Sequence, residues 1–154
     1  MVNIKKILIP TDFSENSKIA LPFAVDLARK YGAELHILHV FDEQLLTPIF
    51  YEVGGDPKEY FEKLRNEFDA AVNSFLSGID TNGIKITSHI TSGTPFVEII
   101  RYARENGIDL IVMGTHGRSG IAHMFLGSVT EKVLRKAECP VMVIRNPELK
   151  FEKP

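Results

Sequence analysis

Gly114, Gly117, Gly127 and Ser128 are spaced as G-x2-G-x9-G-S and directly follow an apolar run, Ile108-Asp109-Leu110-Ile111-Val112-Met113. The run reads as a buried strand, and a helical pattern begins near Gly127. A strand, a glycine turn, a long loop and a glycine-serine pair at a helix start can build a phosphate cradle. Glycines let backbone N–H groups approach an anion closely and adopt positive φ. The helix start adds unpaired N–H groups and the positive end of its dipole, about half a charge. Ser128 adds a hydroxyl, and His116, Arg118 and His123 lie nearby in sequence. The plainer alternative is a left-handed turn at Gly114 and an N-cap at Gly127-Ser128. Three glycines together with these side chains favour phosphate binding.

A second segment suited to a ligand is Pro10-Thr11-Asp12-Phe13-Ser14, which follows the first strand-like run. Asp12 can accept hydrogen bonds from ribose hydroxyls or hold a divalent cation, Mg2+, on a phosphate tail. Thr11 and Ser14 offer hydroxyls. Taken alone, Asp12 and Ser14 read as caps of the following helix. In open parallel sheets, ligands bind beyond the carboxyl ends of the strands where strand order reverses. If the two strands are neighbours, both loops open onto one crevice, and Asp12 is then expected to face the ligand.

Other nucleotide motifs are absent. No G-x-x-x-x-G-K-[ST] loop places a lysine on β- and γ-phosphates. No G-x-G-x-x-G follows the first strand, which argues against a dinucleotide. Catalytic constellations are thin. His36 and His39 fall on opposite faces of one strand and read as structural. His89 has no evident partner, and Arg101–Glu105 has i,i+4 ion-pair spacing. Cys139 before Pro140 reads as a small buried residue. No histidine-carboxylate metal spacing appears.

The elements that must position these loops alternate along the chain. Strand-like runs are Lys6 to Pro10, Leu35 to Phe41, Ile84 to Thr91, Ile108 to Met113 and Val141 to Arg145. Several are apolar at consecutive residues, as parallel strands covered on both faces are. Helical stripes separate them: Ala20, Phe23, Ala24, Leu27, Ala28 and Tyr31 with Gly32 as a stop; Phe61, Leu64, Phe68, Val72 and Phe75 opened by Asp56-Pro57; Phe96, Ile99, Ile100 and Ala103 between Thr94-Pro95 and Gly107; and Leu126, Val129, Val133 and Ala137. Five strands and four helices in alternation predict an α/β domain with a single open five-stranded parallel sheet. Right-handed crossovers put helices on both faces. The segment from Asp42 to Gly55 shows no helix or strand period. It reads as a long loop, either a lid or binding loop or a plain surface excursion. The nucleotide-binding domain is expected over residues 1–146, with a loose polar tail over 147–154.

The chain has 154 residues, 44% of them apolar, enough for one domain with a real core. Its net charge of −2 argues against nucleic acid as the main partner. The one cysteine excludes an intrachain disulfide. No apolar run has the eighteen or so residues a membrane helix needs, and no signal-peptide core is present. A soluble, cytoplasmic protein is expected.

These motifs resemble the universal stress protein family, in its ATP-binding branch. Gly114, Gly117, Gly127 and Ser128 match that branch's nucleotide signature. Ile7 to Ser14 resembles its opening strand and acidic loop, Leu38-His39-Val40 its second strand, and Gly127 to Val133 and Cys139 to Ile144 its closing helix and strand. The resemblance implies strand order 3-2-1-4-5 in a Rossmann-like fold of the adenine nucleotide alpha hydrolase type. It implies that Val40 presents its backbone to the adenine edge, with Pro10 and Met113 lining the base pocket. Asp12 and Gly114 would take the ribose; Gly117, Arg118, Gly127, Ser128 and Val129 would take the phosphates. It further implies a homodimer through the C-terminal strand and a regulatory or stress-response role with little or no ATP hydrolysis, its protein partner unidentified. The alternative is a slow ATPase or a phosphoryl- or adenylyl-transfer enzyme. For that, Asp12, His116 and His123 are the nearby candidates to orient an attacking group.

Overall fold

The computed structural model of the chain describes residues 1–117 and 126–148. Its strands are β1 (Lys6–Pro10), β2 (Glu34–Asp42), β3 (Ile86–Gly93), β4 (Leu110–Gly114) and β5 (Val141–Ile144). All pairings are parallel, in the order β3-β2-β1-β4-β5. β1 is central, with Ile9 opposite Ile37 on β2 and Leu8 opposite Ile111 on β4. Strand order therefore reverses between β1 and β4, where the two loops of interest emerge.

The side-chain alternation of these strands divides the core in two. Ile7, Ile9, Leu35, Ile37, Leu110 and Val112 face one way. They pack against α2 (Leu21–Tyr31) and α4 (Pro57–Leu76) through Leu21, Ala24, Val25, Phe68, Val72 and Phe75. Leu8, Leu38, Ile111 and Met113 face the other way, onto α5 (Pro95–Glu105) and α6 (Ser128–Lys136) through Ile99, Ala103 and Val133. Leu8, Ile9, Ile37 and Ile111 are wholly buried. Burial of each stabilises the fold by about 1.5–3 kcal/mol.

The helix ends follow their local chemistry. Gly32 ends α2 in the left-handed region at φ 64°, where a Cβ is unfavourable. The Asp56 carboxylate accepts from Lys58 N at 2.9 Å ahead of Pro57. Asp109 lies just before β4 rather than inside it. Its carboxylate accepts from the N–H groups of Lys5 at 2.8 Å and Lys6 at 3.0 Å, tying the amino ends of β1 and β4 together. β3 begins at Ile86 and ends at Gly93, two residues later than the apolar run at each end.

Two further helices, α1 (Glu15–Lys18) and α3 (Glu43–Val53), raise the described count from the expected four to six. α3 occupies the segment expected to be a loop. Asp42 caps it by accepting from Gln44 N at 3.1 Å, and Gly54 closes it at φ 73°. Pro48 stands inside it, and Leu45, Tyr51 and Val53 are exposed. A proline inside a segment ordinarily breaks a helix, because it lacks the N–H donor and crowds the preceding turn, so Pro48 hides the helix from a sequence reading. Phe50 holds α3 to α4 by packing its ring on Tyr60, with centroids 5.2 Å apart. Arg101 pairs with Glu98 at 2.8 Å, one turn toward the amino end, instead of Glu105.

Candidate nucleotide site

β1 delivers the first loop. Thr11 N donates to Leu38 O at 2.9 Å, so the chain leaves the sheet one residue beyond Pro10. The Thr11 hydroxyl is then committed within the loop, accepting from Phe13 N at 2.9 Å and lying 2.8 Å from Ser17 Oγ. Asp12 is not the cap of the next helix. Its Oδ1 accepts from Ser14 N at 3.0 Å in a local turn, while Ser14 Oγ caps α1 by accepting from Ser17 N at 3.2 Å. Phe13, between them, adopts φ 61°, the one described non-glycine residue with positive φ. Bulky residues hold that conformation only where their surroundings impose it.

β4 delivers the second loop, and its glycines are required for closeness rather than for positive φ. None of Gly114, Gly117 and Gly127 has positive φ. A Cβ on Gly114 would meet the Asn16 carbonyl at 2.6 Å, and one on Gly117 would meet Asp12 Oδ2 at 2.5 Å. At Gly127 it would press on Thr115 O at 3.2 Å and the Cα of His116 at 3.4 Å. Gly114 and Gly127 thus let one backbone lie against another, and Gly117 lets the Asp12 carboxylate lie against its backbone. Hydrogen bonds tie the same segments together: Asn16 Nδ2 donates to Gly117 O at 3.2 Å, Gly127 N to Thr115 O at 2.6 Å, and Thr130 Oγ1 to Gly114 O at 2.9 Å. The acidic loop, the glycine loop and the start of α6 converge at the carboxyl ends of β1 and β4.

The first backbone bond of α6 runs from Glu131 N to Gly127 O at 2.9 Å. The helix itself offers no acceptor to the N–H groups of Ser128, Val129 and Thr130. Ser128 is exposed and Thr130 buried. Beside this terminus, Val40, Met113 and Val129 belong to one apolar cluster on the α5–α6 face. Pro10 is buried next to Thr11. A helix end whose first N–H groups have no helical acceptor, an apolar cluster and a carboxylate therefore gather at the carboxyl ends of β1 and β4.

His116 is 5% exposed, with Nδ1 3.0 Å from Thr115 Oγ1, so its ring is packed into the glycine loop. Arg118 and His123 lie outside the described residues. Among the described residues, no group of three histidine, cysteine or acidic side chains could hold a metal ion. Sequence reasoning missed Asn16 and Thr130 as braces of the loops, and read His39 as structural without its tether, Nδ1 at 2.9 Å from Thr11 O. None of them stands at a diagnostic spacing, because each acts on a backbone carbonyl of another segment of the chain.

The remaining titratable groups sit apart from the crevice. His36 is buried with Nδ1 2.9 Å from the Tyr102 hydroxyl; Nε2 has no hydrogen-bond partner and lies 3.5 Å from Glu34 Oε1. Burial holds its imidazole below the ordinary histidine value. The hydrogen bond from Thr87 holds the Glu34 carboxyl low, and burial raises the Tyr102 phenol. The His89 ring packs on Tyr102, with centroids 5.5 Å apart. A cavity of about 220 Å3 opens at the carboxyl ends of α5 and α6, beside Ala103, Arg104, Ile108 and Cys139, and none of the residues of the acidic or glycine loop lines it. Burial pushes the Cys139 thiol up, away from the reactive thiolate.

Known proteins share this fold. The chain is 35% identical to universal stress protein MJ0577 of Methanocaldococcus jannaschii over 94% of its length and 96% of that protein's. The solved structure of MJ0577 superposes with a TM-score of 0.76, at 32% identity, covering 96% of this chain and 99% of that one. Universal stress protein MJ0531 of the same organism is 35% identical, over 94% of this chain and 84% of its own. A universal stress protein solved in complex with cAMP superposes with a TM-score of 0.61, at 25% identity, covering 93% and 98% of the two chains. No helix among the described residues is long and apolar enough to cross a membrane. The model of the universal stress protein family matches residues 3–145, and the chain belongs to that family.

Proposed function

We propose that the chain binds ATP in the crevice between the acidic and glycine loops and acts as a nucleotide-dependent regulatory or stress-response module. The observation that carries this reading is the contact of Gly117 with Asp12, which leaves no room for a Cβ and joins both loops around one opening. The adenine edge would meet the Val40 backbone, with Pro10 and Met113 against the base. Asp12 and Gly114 would take the ribose. Gly117, Gly127, Ser128 and Val129 would hold phosphates through N–H groups and the α6 dipole, joined by Arg118. Thr11 and His116 would serve by shaping their loops, since their side chains bond within them. The relative solved with cAMP supports an adenine nucleotide as the ligand class.

Asp12 also suits Mg2+ carried on the phosphates, which would supply charge neutralisation. Little hydrolysis is expected. Turnover needs a group that orients an attacking water, and His116 is buried against Thr115. In the cell the module is placed in the cytoplasm, as a homodimer through β5, answering to a protein partner. The domain is assigned to residues 1–146 and the tail to 147–154. Purifying the protein, denaturing it and weighing any released nucleotide tests the reading. Intact ATP supports it. ADP or AMP points to an enzyme, and no nucleotide over repeated preparations and ATP titration overturns it.

A further inference from the structure

We propose that His39 is a positioning residue for the nucleotide, fixing from β2 the shape in which the acidic loop presents Asp12. The inference rests on the nucleotide reading above.

Neighbours on a strand point to opposite faces, so Val40 joins the α5–α6 cluster while His39 turns toward α2 and α4. His39 is 9% exposed. Its Nδ1 lies 2.9 Å from the Thr11 carbonyl, and a carbonyl only accepts, so Nδ1 carries the proton. Thr11 is where the chain leaves the sheet: its N–H makes the last bond to β2, and its carbonyl points back to His39. β2 therefore grips both sides of this residue.

The same imidazole supports the strained residue of the loop. The Phe13 ring lies against His39 with centroids 5.0 Å apart, and against Phe68 and Phe75 of α4 at 6.1 and 5.8 Å. Phe13 at φ 61° turns the chain so that Ser14 N reaches Asp12 Oδ1 at 3.0 Å. Tether, ring support and turn form one chain of contacts from His39 to the carboxylate. If the Thr11 carbonyl is released, the loop no longer has a single arrangement, and a ligand must order it on binding.

The His39→Phe variant keeps a ring beside Phe13 and removes the donor. The His39→Asn variant places an amide donor near the Nδ1 position and removes the ring. Calorimetric titration with ATP, thermal unfolding and amide exchange are read on both. Loss of one hydrogen bond's ordering predicts roughly fivefold weaker ATP binding for His39→Phe and faster exchange at the Phe13 and Ser14 amides. His39→Asn should melt lower yet bind ATP within about twofold of wild type, the donor being restored. A histidine that merely fills the core would lower the melting temperature of both variants and leave ATP affinity and loop exchange unchanged, which overturns the proposal. If His39→Phe does not fold, His39→Gln, whose amide extends beyond the Nδ1 position, takes its place beside His39→Asn. Wild-type protein that takes up no ATP breaks the nucleotide reading instead, and the exchange comparison then decides the tether by itself.

Discussion

The Asp12 carboxylate lies directly over the Cα of Gly117: a Cβ there would stand 2.5 Å from Asp12 Oδ2. One residue belongs to the loop after β1 and the other to the loop after β4, 105 positions along the chain. Gly117→Ala must displace the carboxylate or the loop, an overpacking cost of about 1–3 kcal/mol. The expected outcome is a folded protein whose ATP affinity falls by a comparable amount. Unchanged affinity by calorimetry would remove Asp12 from the ligand's surroundings.

Gly127→Val tests the other side of the cradle. The branched side chain would press on Thr115 O and the His116 backbone just where α6 begins. ATP at a hundredfold excess over its Kd should stabilise the wild-type protein by about 2.7 kcal/mol. The thermal shift should vanish in Gly127→Val. A folded variant with an undiminished shift would show that the phosphates do not approach this helix start.

Asp12 can be divided into two roles by two variants. Asp12→Ala removes both the charge and the acceptor for Ser14 N, whereas Asp12→Asn keeps an acceptor there. If the charge meets ribose hydroxyls or Mg2+, both variants should lose about 1.5–3 kcal/mol of ATP affinity. Only Asp12→Ala should also lose about 1 kcal/mol of folding stability with the turn. Titration beside urea unfolding separates the two, and normal ATP affinity in Asp12→Asn would make the residue purely structural.

The sequence carried the sheet because its strands are buried on both faces and interrupted by strong punctuation. Ile7 to Ile9 and Ile111 to Met113 are apolar at every position, and Gly32, Asp56-Pro57 and Gly107 stop or start helices by local geometry. Strand order came from family resemblance, because nothing local states which strands are neighbours. The glycine spacing marked the loop, but its physical reason differed: closeness to Asn16 and Asp12, not positive φ, excludes side chains there. Positive φ fell instead on Phe13, which no residue-type preference foretells. α3 escaped notice because Pro48, inside it, reads as a helix breaker. The braces at His39, Asn16 and Thr130 are contacts between distant segments, invisible to spacing.

His36 should give the fold a dependence on pH. Burial disfavours its charged form, with Lys6 and Lys85 adding in the same sense and Glu34 opposing. In the unfolded chain it titrates near its ordinary value of 6.5. As pH falls below that value the unfolded state binds the proton first, so stability is fully present above 6.5 and declines below it. Glu34, whose carboxyl is held low, loses its contribution only as pH falls further, below 4.5. Urea unfolding at pH 7 and pH 5 should therefore show a drop in the wild-type protein that shrinks in His36→Phe. An equal drop in both would assign the effect to other groups.

Assembly is the last consequence of the topology. β5 pairs with β4 on one side and ends the sheet on the other, with Met142 37% exposed. An edge strand of sequence Val141-Met142-Val143-Ile144 offers backbone donors and acceptors beside apolar side chains, a template for another strand. A second copy of β5, running antiparallel about a two-fold axis, would satisfy those groups and close the assembly at two chains. Val143→Lys would place like charges against each other near that axis. Light scattering should therefore give twice the monomer mass for the wild-type protein at tens of micromolar and a shift toward the monomer for Val143→Lys. A wild-type monomer at that concentration, with and without ATP, would exclude the β5 interface and leave the edge to be covered from within the same chain.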